Sequence, residues 1–172
     1  MTSRVITFII IFCTILILIL GNKSINQEIY AQVVLDETVY LQEIFPEATK
    51  FDKGMLDNKE YYIAKKDDKE LGYIISVEAE VYDHIAKVLV GFDSKAEIKA
   101  MKILSKEETA GLGAKMVETL PGESKPWFLK QFEGKNASDL EDAQAVTGAT
   151  VSSRAIIDGV KKEVVDFVSK LK

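Results

Sequence analysis

Residues 5–20 read VITFIIIFCTILILIL, and the uncharged run extends to Asn22. As a helix, those 18 positions rise about 27 Å, close to the roughly 30 Å hydrocarbon core of a bilayer. The pattern predicts a membrane anchor over 1–22. Leu18, Ile19 and Leu20 offer no small-x-small cleavage site, which favours a retained span over a removed signal peptide. Cys13 follows Phe12 and precedes more apolar residues, as an unmodified cysteine inside a span would. A polar hinge, 23–28, separates this segment from a domain over 29–172.

Within that domain the periodicity changes several times. Residues 29–48 predict a helix, divided near Asp36, in which Val39, Tyr40 and Ile44 approximate a three-to-four spacing and Pro46 marks the end. Residues 50–60 read as a loop, with Gly54 and Asn58 as turn formers. Strands are predicted at 61–66, 71–81, 86–93 and 97–104, where β-branched and aromatic residues alternate with polar breaks such as KDDK and DSKA. Connections this short favour antiparallel hairpins over parallel crossovers. Lys65 and Lys66 are expected on a wet face or edge. A short helix is predicted around 126–132, with Pro126 in its first turn, and a turn-rich stretch over 133–150. In the last segment Ile156, Val160, Val164, Phe167 and Leu171 step by four, four, three and four, the stripe of an amphipathic helix. Ser152 or Ser153 is expected to cap its start, and Lys170 and Lys172 suit its end. The expected fold class is α+β: an antiparallel sheet with flanking helices, preceded by one N-terminal transmembrane helix.

Composition changes this picture little. The 172 residues are enough for one domain of ordinary size. Charge changes it more. Setting aside Arg4 and Lys23, which flank the span, the chain has 20 basic and 27 acidic residues, a net charge of −7. An acidic domain is a poor general nucleic-acid binder, so no nucleic-acid partner is expected. Arg4 and the terminal amine before the span tilt the positive-inside rule towards a C-terminal domain outside the cytoplasm. One histidine and one cysteine leave ordinary zinc, haem and iron–sulfur sites without ligands.

Candidate chemistry lies in two small-residue stretches. TGATVSS, 147–153, reads as a turn entering a helix. Gly148 and Ala149 permit close backbone approach, the outward amides and dipole of a helix start attract anions, and Thr147, Thr150, Ser152 and Ser153 supply hydroxyls. A capped helix, a phosphate site and a modified hydroxyl all remain open on these residues alone. EETAGLG, 107–113, implies a tight turn near a strand end, either purely structural or exposing amides at Gly111 and Gly113. His84 reads as a surface or structural histidine, and Trp127 and Phe128 as core residues rather than a cofactor stack. Asp83, Asp93, Glu107, Glu108 and Asp139 have no fixed spacing that supports a hydrolytic carboxylate pair.

AQAVTGATVSSRAIIDGV resembles the flavin-attachment region of the FMN-binding domain shared by the G and C subunits of the Rnf and sodium-pumping NADH:quinone reductase complexes. In that family the threonine closing a Ser/Thr-Gly-Ala-Thr motif is joined to FMN through a phosphoester. The resemblance places this threonine at Thr150, preceded by Thr147, Gly148 and Ala149. EETAGLG is similar to the family's Glu-Thr-Pro-Gly-Leu-Gly stretch along the flavin: Glu108, Thr109, Gly111, Leu112 and Gly113 match, and Ala110 replaces the usual proline. Gln144-Ala145-Val146 stands where Asp-Ala-Val is usual, and Tyr82, Asp83 and His84 replace a glycine-bearing segment.

The resemblance implies a cell-membrane, single-pass flavoprotein, flavinylated as a phosphoprotein by a flavin transferase. It would relay electrons to other membrane subunits of a translocase, without being catalytic alone. The competing readings are a stand-alone extracytoplasmic electron-transfer flavoprotein and a flavin-free anchored binding or structural module.

Overall fold

The computed structural model describes residues 38–81, 84–104 and 114–171. The expected anchor 1–22, the hinge 23–28, the first part of the helix to residue 37, Tyr82, Asp83, Glu107 to Gly113 and Lys172 lie outside the described residues. By its internal contacts the chain divides into Met1–Tyr40 and Leu41–Lys172. Residues 38–44 are helical (α1) and stop before Pro46, as predicted.

Five strands follow, β1 (Lys50–Leu56), β2 (Lys59–Lys66), β3 (Lys69–Val81), β4 (His84–Phe92) and β5 (Ile98–Ile103). They pair in sequence order, every pair antiparallel. Asp57 and Asn58, and likewise Asp67 and Asp68, take φ of 49° and 62°. Two successive left-handed residues define the type I′ turn, whose twist matches that of the flanking strands. Asp and Asn tolerate this conformation better than most side chains, so KDDK encodes a hairpin.

β1 corrects the loop expected over 50–60. It has few large apolar residues because it is an edge strand, and its ladder with β2 holds it, Lys50 opposite Lys65 through Leu56 opposite Lys59. Hydrophobic periodicity is weak in a strand whose side chains are mostly half-buried or exposed. Gly54 is a strand residue here, and the Tyr61 ring occupies the space its side chain would need. Lys65 lies half-exposed on a wet face of the sheet, in line with the expected face or edge, its ammonium 2.8 Å from Asp52.

The sheet buries both faces at its centre. On one face Tyr73, Ile75, Val77 and Ala79 of β3 join Val88, Val90 and Phe92 of β4. The helix α3 (Thr150–Lys170) covers this face with Ile156, Ile157, Val160, Val164 and Phe167. Gly159 marks the close approach: a side chain there would begin 3.2 Å from Val77 Cγ1. Glycine costs about 1 kcal/mol in a helix interior, but here it lets the helix rest on the sheet. Phe167 meets Tyr61 and Phe92 edge-on, with centroids 5.0 and 5.5 Å apart. Leu171, predicted as the last member of the stripe, is instead the C-cap and 37% exposed. Lys170 closes the helix on Asp166 and Asp57 at 2.6 and 2.7 Å.

Ile44 and Phe45 cover the opposite face. A side chain on Gly91 would collide with Ile44 Cγ2 and approach Phe45 Cε2 to 2.9 Å. Gln42 Nε2 donates to the carbonyls of Pro46 and Ala48, both at 3.0 Å, and so fixes the turn between α1 and β1. A short helix, α2 (Trp127–Lys130), buries Phe128 and Leu129. Phe128 belongs to the core, as its sequence context suggests.

The β4–β5 connection carries a pH-sensitive turn. Asp93 Oδ1 accepts the backbone N–H of Lys95 and Glu97 at 2.9 and 3.0 Å, and Oδ2 lies 3.2 Å from Lys99 Nζ. Burial alone would raise this carboxyl's pKa; the two amides and the ammonium outweigh it and hold it below the ordinary value. Its contribution to stability is present above the unfolded-state value of about 3.9 and is lost as pH falls through the lower folded-state value. Asp93→Asn is expected to cost about 0.5–1 kcal/mol at neutral pH and to converge on the parent in strong acid. Urea unfolding at several pH values checks this; a loss that does not change with pH would refute it.

Candidate functional site

The turn before α3 is built from the main chain outward. Gln131, just after α2, clasps Gln144: its Nε2 donates to Gln144 O at 2.9 Å, and its Oε1 accepts Gln144 N at 2.7 Å. Position 144 is thus held by its backbone, and its side chain is exposed. The glutamine that stands where an acid is usual leaves the course of the turn intact. Val146 is buried, and its carbonyl accepts Ala149 N at 2.9 Å. Gly148 closes this bend at φ 81°, a left-handed conformation that other side chains strain to adopt.

α3 begins at Thr150, earlier than a cap at Ser152 or Ser153 implies, with Ala149 as its N-cap (φ −137°, ψ 32°) and no side-chain cap. The expectation that Ser152 or Ser153 caps the helix is therefore corrected. Both lie inside the first turns and both are fully buried. Ser153 Oγ accepts Val146 N at 3.0 Å and donates to Ala149 O at 2.8 Å, pinning the turn to the helix. Among the described residues, Ser152 Oγ is buried without a hydrogen-bond partner. A buried hydroxyl left unpaired costs roughly 1–3 kcal/mol, so it marks a place where a further acceptor or donor would stabilise the protein.

The predicted residues Thr147, Gly148, Ala149, Thr150, Ser152 and Ser153 are thus brought together. Thr147, Gly148 and Thr150 are exposed, and Ala149 is buried. Glu108, Thr109, Gly111, Leu112 and Gly113 fall outside the described residues. One residue escaped the sequence reading. Lys115 lies in a 3-10 turn, Ala114–Met116, whose Met116 is buried. Its Nζ lies over Gly148, 2.6 Å from where a Cβ would stand. The only signal in the sequence was its place two residues after Gly113.

The arrangement offers an exposed hydroxyl at the first position of an uncapped helix, with an ammonium beside the preceding glycine. A helix start presents unpaired amides and the positive end of the helix dipole. Both favour phosphate chemistry at Thr150.

Residues 82–164, which take in Lys115 and the whole 147–153 turn, match the family described as the FMN-binding domain. The chain is 33% identical over 127 residues to the G subunit of the proton-translocating ferredoxin:NAD(+) oxidoreductase complex of Clostridium ljungdahlii, covering 69% of this chain and 64% of that protein. It is 28% identical over 152 residues to the G subunit of the Na(+)-translocating ferredoxin:NAD(+) oxidoreductase complex of Acetobacterium woodii, covering 76% and 73%. Against the G subunit of the ion-translocating oxidoreductase complex of Escherichia coli it is 31% identical over 113 residues, 59% of this chain and 52% of that one. The chain thus spans between about half and three quarters of the length of these relatives.

The two buried serines predict opposite behaviour. In protein expressed without a flavin transferase, Ser153→Ala is expected to cost about 1–3 kcal/mol, because it strands Val146 N. Ser152→Ala removes only an unpaired hydroxyl and is expected to be neutral or stabilising. Urea unfolding of both variants decides; an equal loss for the two would contradict the assigned roles.

Proposed function

We propose, from the premise that residues 82–164 belong to the FMN-binding domain family, that this chain is a membrane-anchored electron-transfer subunit carrying FMN in phosphoester linkage to Thr150. The observation that carries the reading is the exposed Thr150 at the first position of an α3 that no side chain caps. A buried hydroxyl at this point would be closed to modification.

When bound, FMN supplies one- and two-electron chemistry, and the protein supplies its position and electrostatics. Attachment needs an activated phosphoryl donor, such as the pyrophosphate of a flavin dinucleotide held by a flavin transferase. Thr150 Oγ1 forms the new bond to phosphorus, a pyrophosphate P–O bond breaks, a nucleoside monophosphate leaves and the hydroxyl proton passes to solvent. The helix start then favours the remaining negative charge of the diester. Ser153 and the Gln131–Gln144 clasp hold the attachment point steady. Glu108, Thr109, Gly111, Leu112 and Gly113 are assigned to the flavin's flank.

Residues 5–22 are assigned as a single membrane span with the domain outside the cytoplasm; the 18-position uncharged run supports this. An anchor confines the domain near its redox partners and so raises their effective concentration. Other subunits of an ion-translocating oxidoreductase complex are the proposed partners. That the relatives named above are all G subunits of such complexes favours a complex over a stand-alone flavoprotein. Two of their names differ in the ion translocated, so likeness in this polypeptide does not select the ion.

Expression of the full chain with a flavin transferase tests the linkage. Fluorescence in a denaturing gel is expected at the position of the parent band and not for Thr150→Val. A parent band without fluorescence would sink the covalent assignment. In sealed right-side-out vesicles, added protease is expected to digest the domain; protection would reverse the proposed orientation.

A further inference from the structure

We propose that Lys115 is the counter-ion of the phosphodiester on Thr150. The proposal rests on the covalent FMN reading and adds to it a residue from a separate part of the chain.

Three observations converge. Lys115 Nζ lies over Gly148, two residues before Thr150, close enough that any side chain at 148 would displace it. Gly148 therefore has a second role beyond its left-handed φ: it leaves room for an ammonium at the start of α3. No acidic side chain forms a salt bridge with Lys115 among the described residues, although many of the chain's other lysines have such a partner. The start of α3, at Thr150, has no side-chain cap. A cation with no carboxylate partner among the described residues and an uncapped helix start lack the same thing, an anion with several acceptor oxygens.

The attached phosphodiester has that chemistry. It keeps one negative charge and two non-bridging oxygens, and a lysine pairs with phosphate as a compact point charge. Met116, buried beside Lys115, holds the 3-10 turn against the core, so the ammonium is delivered from a fixed base. The Lys115 side chain is itself exposed, so the pair is open to water and to salt screening. Its role is positional: it draws the diester towards the Gly148 side of the helix start and limits how the tethered flavin swings about Thr150.

Lysine-reactivity footprinting of the full chain, co-expressed with a flavin transferase, tests this, with Thr150→Val as the unloaded reference. An amine-reactive acetylating reagent followed by mass spectrometry reads each lysine, and the exposed Lys95 serves as internal standard. Lys115 is expected to react about tenfold more slowly in loaded than in unloaded protein, and the protection should shrink as sodium chloride is raised. Lys115→Gln is expected to lose the salt-sensitive rise in melting temperature that flavin loading confers, and Lys115→Arg to keep it. Fluorescent parent protein with Lys115 equally reactive in both forms would overturn the pairing and leave the Thr150 linkage standing. Protection that salt does not change would also overturn it, since simple covering by the flavin would then explain the result. Absence of fluorescence from the parent would overturn the linkage, and the pairing with it.

Discussion

The contact of α3 with the centre of the sheet is the constraint on which the rest of this domain depends. Ile156, Val160 and Val164 are fully buried against a face formed by β3 and β4. Each such side chain contributes roughly 1.5–3 kcal/mol on leaving water. Gly159 permits the close approach to Val77. Because side chains on a helix repeat every 3.6 residues, seating this stripe also fixes the rotation of every other position. Ser152 and Ser153 turn inward, and Thr150 and Val151 stay exposed. The hydroxyl offered to chemistry and the two that are hidden follow from one packing decision.

The turn before the helix divides its work among residues of similar type. Ser153 holds structure, with one hydroxyl serving both a donor and an acceptor of the main chain. Ser152 is buried with no hydrogen-bond partner among the described residues, a local cost. Thr150 stands free at the surface. Small residues at 148 and 149 let the chain turn sharply, one at φ 81° and the other buried beneath the helix start. The Gln131–Gln144 clasp isolates this geometry from the identity of the side chain at 144. The departure from the family's usual acid therefore leaves untouched the backbone bonds that hold this part of the turn.

Much of this was legible in the sequence, and the parts that were not have a common cause. The membrane-length apolar run, the four central strands, their hairpin connections and the terminal amphipathic stripe all arise from local periodicity and turn chemistry, which act over a few residues. The order Thr-Gly-Ala-Thr, with its family likeness, pointed to Thr150 as the proposed attachment residue. β1 was missed because an edge strand is held by its ladder to β2, and its own apolar pattern is weak. The helix start was misplaced because serine is a good cap in general, while here Ala149 takes that position and both serines are buried. Lys115 could not be assigned, since nothing local distinguishes an exposed lysine after a glycine turn. Only the folding that brings residue 115 over residue 148 gives it a neighbour. Sequence alone therefore determined most of the elements and singled out the 147–153 turn. Tertiary structure decided which face each side chain shows and which distant charges meet, because those depend on packing between segments far apart in the chain.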